Sequence, residues 1–427
     1  MNKKALCLLT VVLMISASIF ARGTTETSGS KEKDVDLRFF TGKVETVDVI
    51  DEIIADFNAQ SQGITVEQEY QNDASNIIKI KFASGEVPDI MTTYEQEYVN
   101  QGKYKDLGDM TWWNRLIPSM KDSCTDVLSG KQYRVCTNMT MAGFFYNKEI
   151  FDSLGIKPAE TWNEFIANLE TIKKAYPDVD PWFIFGSEAW SLGHLIEFIP
   201  HGYIKAKYGA MEAKKAMLSN NQDILQWGSP SGPMARFAEC LLEVQDKGLI
   251  NTDALTATGG NAVDAFIEGK TAMLSNGMWV LGDLRAKDPA IMDKIGFAPY
   301  PSIMDDGVPV VLVAEDSGYS ISADTAFTDE AVEFLDFLFQ PENQKKYSEL
   351  LGSPSAFKDV NANWAPESLV NDVNNTVASA SNIGFTNEKP AGFSGDDAGR
   401  MVQDLLAGKY TAAEFAKAYA KAWNEGF

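Results

Sequence analysis

Three short stretches set an aromatic ring beside a carboxylate or an amide: Tyr94-Glu95-Gln96, Glu188-Ala189-Trp190 and Asn276-Gly277-Met278-Trp279. Rings offer flat apolar faces, while carboxylates and amides orient and accept hydrogen bonds. Together they suit a polyhydroxylated ligand such as a sugar, whose C–H faces stack and whose hydroxyls bond a polar rim. Each stretch also has a plainer reading. Trp279 fits a core, although Gly277 before it frees the backbone. Tyr94, Glu95 and Gln96 fit a solvated loop equally well. Further candidates are Thr41 at the end of the first apolar run, Thr140 with Met141, and Asp316-Ser317, which also fits an Asx turn. Met141 reads chiefly as packing. Phe393, between Gly392 and Ser394, is a late aromatic candidate for the same cleft, and Lys43 is a nearby cation. Trp112, Trp113, Trp162 and Trp423 are assigned to packing.

Catalytic and cofactor chemistry finds little support in the residues. The two histidines, His194 and His201, would lie about 10 Å apart along one helix, too far to share a metal. No Gly-x-Ser-x-Gly elbow and no phosphate-cradling Gly-x-x-x-x-Gly-Lys-Ser/Thr loop occurs. The chain is therefore expected to be no enzyme and to need no metal or cofactor. A glycosidase carboxylate pair is the alternative among the abundant acids, and no pair is singled out.

The elements that must carry these loops are legible from periodicity. Val35–Thr41 and Ile64–Tyr70 read as strands, with Val47, Ile50, Ile54 and Phe57 at helical spacing between them. Ile77, Ile80 and Phe82 suggest a second helix that stops at Gly85, before a strand at Ile90-Met91. This βαβαβ order predicts a parallel sheet, and ligands in open α/β sheets lie beyond the strands' C-terminal ends. Phe144-Phe145-Tyr146 reads as a strand, followed by a short helix ending at Gly155 and by a capping box, Thr161 to Glu164. Pro181–Ser191 reads as a short strand opening into a loop at Gly186. A second capping box, Thr411 to Glu414, opens the last helix.

Asn138–Ile166 runs Tyr146-Asn147-Lys148, a short helix, Gly155, Pro158, then Thr161-Trp162 and an acid. In this order the segment resembles the crossing into the second lobe of family 1 extracellular solute-binding proteins, the maltose-binding-like receptors of ABC importers. Gly85-Glu86-Val87-Pro88-Asp89-Ile90 and Lys270-Thr271-Ala272-Met273 followed by Gly277-Met278-Trp279 are similar to further signatures of that family. Phe297–Pro301 and Gly318–Ser322 resemble two of its later strands, so the resemblance covers most of Val35 to Ser355. It implies an α/β, two-lobed periplasmic-binding-protein fold of type II, with a hinge and an interlobe cleft. The first lobe is expected over 35–141 plus 266–322 and the second over 142–265 plus 323–427. The implied function is capture of a sugar or oligosaccharide by hinge closure and delivery to membrane permease subunits. The alternative within binding proteins is a receptor feeding a sensor or chemotaxis partner.

Length and charge agree with this. At 427 residues the chain exceeds what one core usually holds, about 250 to 300 residues. A net charge of −23 argues against nucleic acid and anionic membranes as partners. A monomer is expected. Lys3 and Lys4 before the apolar run Ala5–Phe20 form a secretory leader over 1–21, with cleavage expected after Ala21 and a polar tether over 22–34. Cys7 lacks a lipoprotein context, so release without a lipid anchor is expected in a periplasmic or secreted location. Cys124 and Cys136 are equidistant from Gly130, and a hairpin there would bring them opposite each other as a disulfide or as free buried thiols.

Overall fold

The structure is a computed structural model that describes residues 35–386 and 388–427; the leader, the tether and Cys7 lie outside these. The predicted βαβαβ unit is present. β1 (Val35–Thr41) runs parallel to β2 (Ile64–Tyr70) on one side and to β3 (Ile90–Met91) on the other. β4 (Val135–Cys136) completes this first sheet through a strand from far along the chain, described below. Leu37 and Phe39 point to one face of β1, where Val49, Ile50, Ile53, Ile54 and Phe57 of the helix Val47–Gln60 cover them. Phe40 and Met91 point to the other face, against Ile78, Tyr98 and Tyr104. The period-2 alternation of the strand thus buries both faces.

The second sheet is built on β5 (Met139–Asn147). β6 (Met273–Gly277) pairs antiparallel along one edge, with Gly143 opposite Asn276. β7 (Ile295–Ala298) and β8 (Val310–Glu315) share the other edge, and β10 (Ser381–Ile383) adds parallel to β8. The late strand of the first sheet is β9 (Gly318–Ile321), which lies between β3 and β4. Alternate β5 residues enter different cores: Ala142 and Phe144 on one face, Met141 and Phe145 on the other. Each fully buried side chain of this size contributes about 1.5–3 kcal/mol by leaving water. That explains why Phe144-Phe145-Tyr146 is apolar on consecutive residues.

This pairing corrects the expected lobe assignment. The expected boundaries put β6, β7 and β8 in the first lobe with 266–322, yet all three pair in the second sheet; only β9 returns. Conversely, the helices Thr328–Leu338 and Pro341–Leu351 pack on the first sheet, burying Ala331, Phe334, Leu335, Leu338 and Tyr347 there. The physical reason is that β5 exposes two long hydrogen-bonding edges that must be paired. Nothing in a strand's own sequence states which later strand will do so.

The chain passes between the sheets at 137–138, at 316–317 and again after Leu351. Asn138 ties these passes together. Its Nδ2 donates to Asp316 Oδ2 at 3.2 Å and to Ser353 Oγ at 2.9 Å, and its Oδ1 accepts from the Ser317 amide at 3.4 Å.

Candidate ligand-binding cleft

The polar and aromatic residues at the sheet ends form a strip that runs from one sheet to the other. On the first sheet, the half-buried Tyr94 ring stacks on Tyr104 with centroids 5.3 Å apart, and the Arg134 guanidinium lies 4.5 Å from the Tyr94 centroid. Arg134 is paired with Glu315 at the end of β8. Burial opposes the guanidinium's charge, but the Glu315 carboxylate outweighs it and holds Arg134 firmly protonated. Lys43, just past the end of β1, is paired in the same way with Asp316 and lies 3.4 Å from Glu45. Burial works against its charge too, and Asp316 and Glu45 together raise its pKa.

On the second sheet, the helix Ala189–Phe198 carries Trp190, His194 and Phe198 at four-residue spacing, one face of a helix. Trp190 and His194 are 5.4 Å apart between centroids, and His194 lies 5.6 Å from Trp279. Burial pushes the His194 pKa down, so the imidazole is neutral near pH 7 and can both donate and accept. This helix is pressed against the helix Gly395–Leu406: a Cβ on Gly399 would stand 1.7 Å from the Ala189 carbonyl oxygen. Trp279 follows β6, and its six-membered ring lies over Gly277, where a Cβ would come within 2.1 Å. The glycine therefore houses the ring as well as freeing the backbone. A cavity of about 280 Å³ opens beside Trp279, bounded across the interlobe gap by Val44, Glu45, Asp48, Asn138 and Asp316.

The sequence candidates thus divide. Trp279, Trp190, Tyr94 and Asp316 fall on the strip, with Trp190 37% exposed. Glu95 is half-buried beside Tyr94 and begins the helix Gln96–Asn100. Gln96 is used locally, donating to Asp126 Oδ1 at 3.1 Å. Glu188 accepts from the Gly259 amide at 2.9 Å, at the N-terminus of the helix Gly259–Ile267. Trp190 sits in a helical first turn, not in the expected loop. Thr41 is buried, its hydroxyl accepting from the Lys43 amide at 3.1 Å. Thr140 and Met141 are buried within β5, Ser317 is buried in the pass at 316–317, and Asn276 turns its Oδ1 onto the Gly277 amide. Phe393 is corrected outright: it is 5% exposed and packs edge-on against Tyr419 and Trp423, inside the second core.

His194, Arg134 and Asn138 were missed as candidates. Trp190-x-x-x-His194-x-x-x-Phe198 carried the signal for the first, once the stretch is read as helix. Arg134 and Asn138 have no local signal, because their partners lie more than 170 residues away.

Beneath His194, the loop after β10 is fastened by a buried polar network. Lys205 Nζ donates to the Gly384 carbonyl at 2.5 Å and to Thr386 Oγ1 at 2.7 Å, and His201 Nε2 sits 2.9 Å from the Tyr419 hydroxyl. This places Phe385 6.1 Å from His194. Burial pushes Lys205 from its ordinary 10.5 down to about 8, with Glu197 and Glu388 offsetting only part. The folded pKa lies below the unfolded one, so the cost of burying the ammonium is present below pH 8. It is relieved as pH rises from 8 towards 10.5. Denaturant titrations should therefore show the wild type gaining stability relative to Lys205→Met across that window. Parallel curves for the two proteins would show that Lys205 is not buried as a cation.

With this geometry in place, the comparisons define the class. A profile of the bacterial extracellular solute-binding proteins matches residues 43–345, and the chain belongs to that family. It is an extracytoplasmic solute-binding protein with the two-lobed type II fold. It is 28% identical over 367 residues to the multiple sugar-binding protein of Streptococcus mutans, covering 84% of this chain and 83% of that protein. It is 27% identical over 318 residues to the melibiose/raffinose/stachyose-binding protein MelE of Bacillus subtilis, covering 74% and 72%. Its fold matches a Bacillus licheniformis sugar transporter solved with stachyose, at TM-score 0.76, 23% identity, and 92% and 100% coverage. It also matches the binding protein RafE solved with raffinose, at TM-score 0.77, 23% identity, and 92% and 99% coverage. Among the described residues no His, Cys, Asp and Glu cluster could hold a metal, and no helix is long and apolar enough to cross a membrane.

Proposed function

We propose that the protein is the receptor of an ABC importer for an uncharged oligosaccharide, which it binds between the lobes across Trp279, His194, Trp190 and Tyr94. The observation that carries this reading is the pairing of the cleft cations. Lys43 is already neutralised by Asp316 and Arg134 by Glu315, so neither is free for a phosphate or carboxylate ligand. What remains is stacking surface with amide and imidazole groups and carboxylate acceptors, Glu45 and Asp48 among them, which suit the hydroxyls of a neutral sugar. The names of the relatives, which bind multiple sugars or the melibiose, raffinose and stachyose series, support the same class. Binding across both lobes favours the closed state, which membrane permease subunits would then recognise. The protein acts as a monomer and has no nucleic-acid partner, in keeping with its net charge of −23.

The test is a thermal-shift panel of melibiose, raffinose, stachyose, maltose and a sugar phosphate. A cognate sugar at 100 times Kd adds about 2.7 kcal/mol of stability. A shift with the sugar phosphate alone would overturn the neutral-sugar reading.

A further inference from the structure

Cys124 and Cys136 are 2% and 0% exposed in the core of the first sheet. Cys124 closes the short helix Pro118–Ser123, and Cys136 ends β4. Between them the chain turns back at Gly130, where the Asp126 amide donates to the Lys131 carbonyl and the Gly130 amide to the Asp126 carbonyl, each at 2.8 Å, although the two arms do not pair as strands. Both are free thiols in one core, and the Cys124 side chain raises the pKa of the Cys136 thiol. The third described cysteine, Cys240, is buried in a different core, on the helix Pro233–Asp246 of the second lobe. Among the described residues, neither member of the pair therefore has a competing partner.

The segment between them builds the cleft floor on the first sheet. It contains Arg134, whose guanidinium also reaches the Ser123 carbonyl at 3.4 Å. It contains Asp126 too, which accepts from Gln96 and from the Ser129 amide at 2.7 Å. The family is extracellular, and exported chains meet oxidising conditions.

We propose that Cys124 and Cys136 form a disulfide in the exported protein, closing the loop that holds Arg134 under Tyr94. Each thiol gives up its hydrogen as the S–S bond forms. The two electrons and two protons pass to a protein or small-molecule disulfide, which is reduced to its dithiol. Attack requires a thiolate, and burial beside Cys124 raises the Cys136 pKa. The bond therefore forms during folding, before β4 is covered. Once formed, it is shielded from reductant by the same core.

The test is differential alkylation of the full-length protein in denaturant, after expression with export to an oxidising compartment. Before reduction, only Cys240 of these three cysteines should be alkylated, and a peptide linking Cys124 to Cys136 should appear in the digest. After reduction all three should react. Alkylation of Cys124 and Cys136 before reduction, or a link from either to Cys240, would overturn the proposal. A second reading uses the Cys124→Ser/Cys136→Ser double variant. Its amides over 125–135 should exchange with solvent faster than wild type, while those of the second sheet do not change. Equal exchange in the two proteins would mean that the bond does not hold the loop. Neither outcome depends on which ligand the cleft binds.

Discussion

Trp279→Ala should weaken binding of the best neutral sugar about ten- to a hundredfold and leave the ligand-free fold intact. Loss of a stacking ring removes about 1.5–3 kcal/mol, and about 1.4 kcal/mol is a factor of ten. The ring is half-buried, with one face on Gly277 and an edge towards His194, and it borders the interlobe cavity. Its removal therefore opens a space continuous with solvent instead of an enclosed void. Trp182 supplies the contrast. It is 1% exposed and packs edge-on against Phe144 and Phe165. Trp182→Ala should cost about 3–5 kcal/mol of stability. Gly277→Ala gives an independent route to the Trp279 result, because the new methyl must evict the ring. It should reduce affinity in the same direction while adding only one carbon. Calorimetric affinity and ligand-free melting temperature, read on all three variants, decide the matter. Unchanged affinity in Trp279→Ala with a collapsed melting temperature would make Trp279 a packing residue.

The second large effect is expected at Arg134. Its side chain is 13% exposed and its partner, Glu315, is 5% exposed. Arg134→Met should destabilise the protein by about 3–5 kcal/mol, chiefly because it leaves a buried carboxylate without its counter-charge. The cation over the Tyr94 ring is lost as well, worth about 0.5–2 kcal/mol. Removing both charges, with Arg134→Met and Glu315→Leu together, should recover most of the stability, since burying an ion pair carries its own desolvation cost. Urea denaturation of the two single variants and the double variant closes the cycle. Additive losses would mean that the two groups do not act as a pair. The double variant should still bind sugar less tightly than wild type, because Tyr94 loses the group beneath it.

Local signals in the sequence were enough for several elements, though not for 181–191, where the expected strand and loop are isolated bridges at Trp182 and Phe183 and the start of the helix Ala189–Phe198. Thr161 and Glu164, and Thr411 and Glu414, form reciprocal capping boxes as read. Gly85 and Gly155 end their helices in the left-handed conformation, with φ of 77° and 63°, which a Cβ would disfavour. The parallel βαβαβ opening followed from its periodicity, and the aromatic residues at 94, 190 and 279 were visible as composition. Tertiary structure alone decided the rest. Whether β6 joined the first sheet or the second depended on which edge of β5 stood free, and hydrogen bonds between strands are blind to sequence distance. Phe393 is 5% exposed among Tyr419 and Trp423 in the second core, whereas the half-buried Trp279 borders the interlobe cavity. The neutralisation of the two cations rests on Lys43 with Asp316, 273 residues apart, and Arg134 with Glu315, 181 apart. A charge's meaning depends on its neighbours in space, because Coulomb attraction at a few ångströms in a partly dry site overrides whatever the charge would do alone.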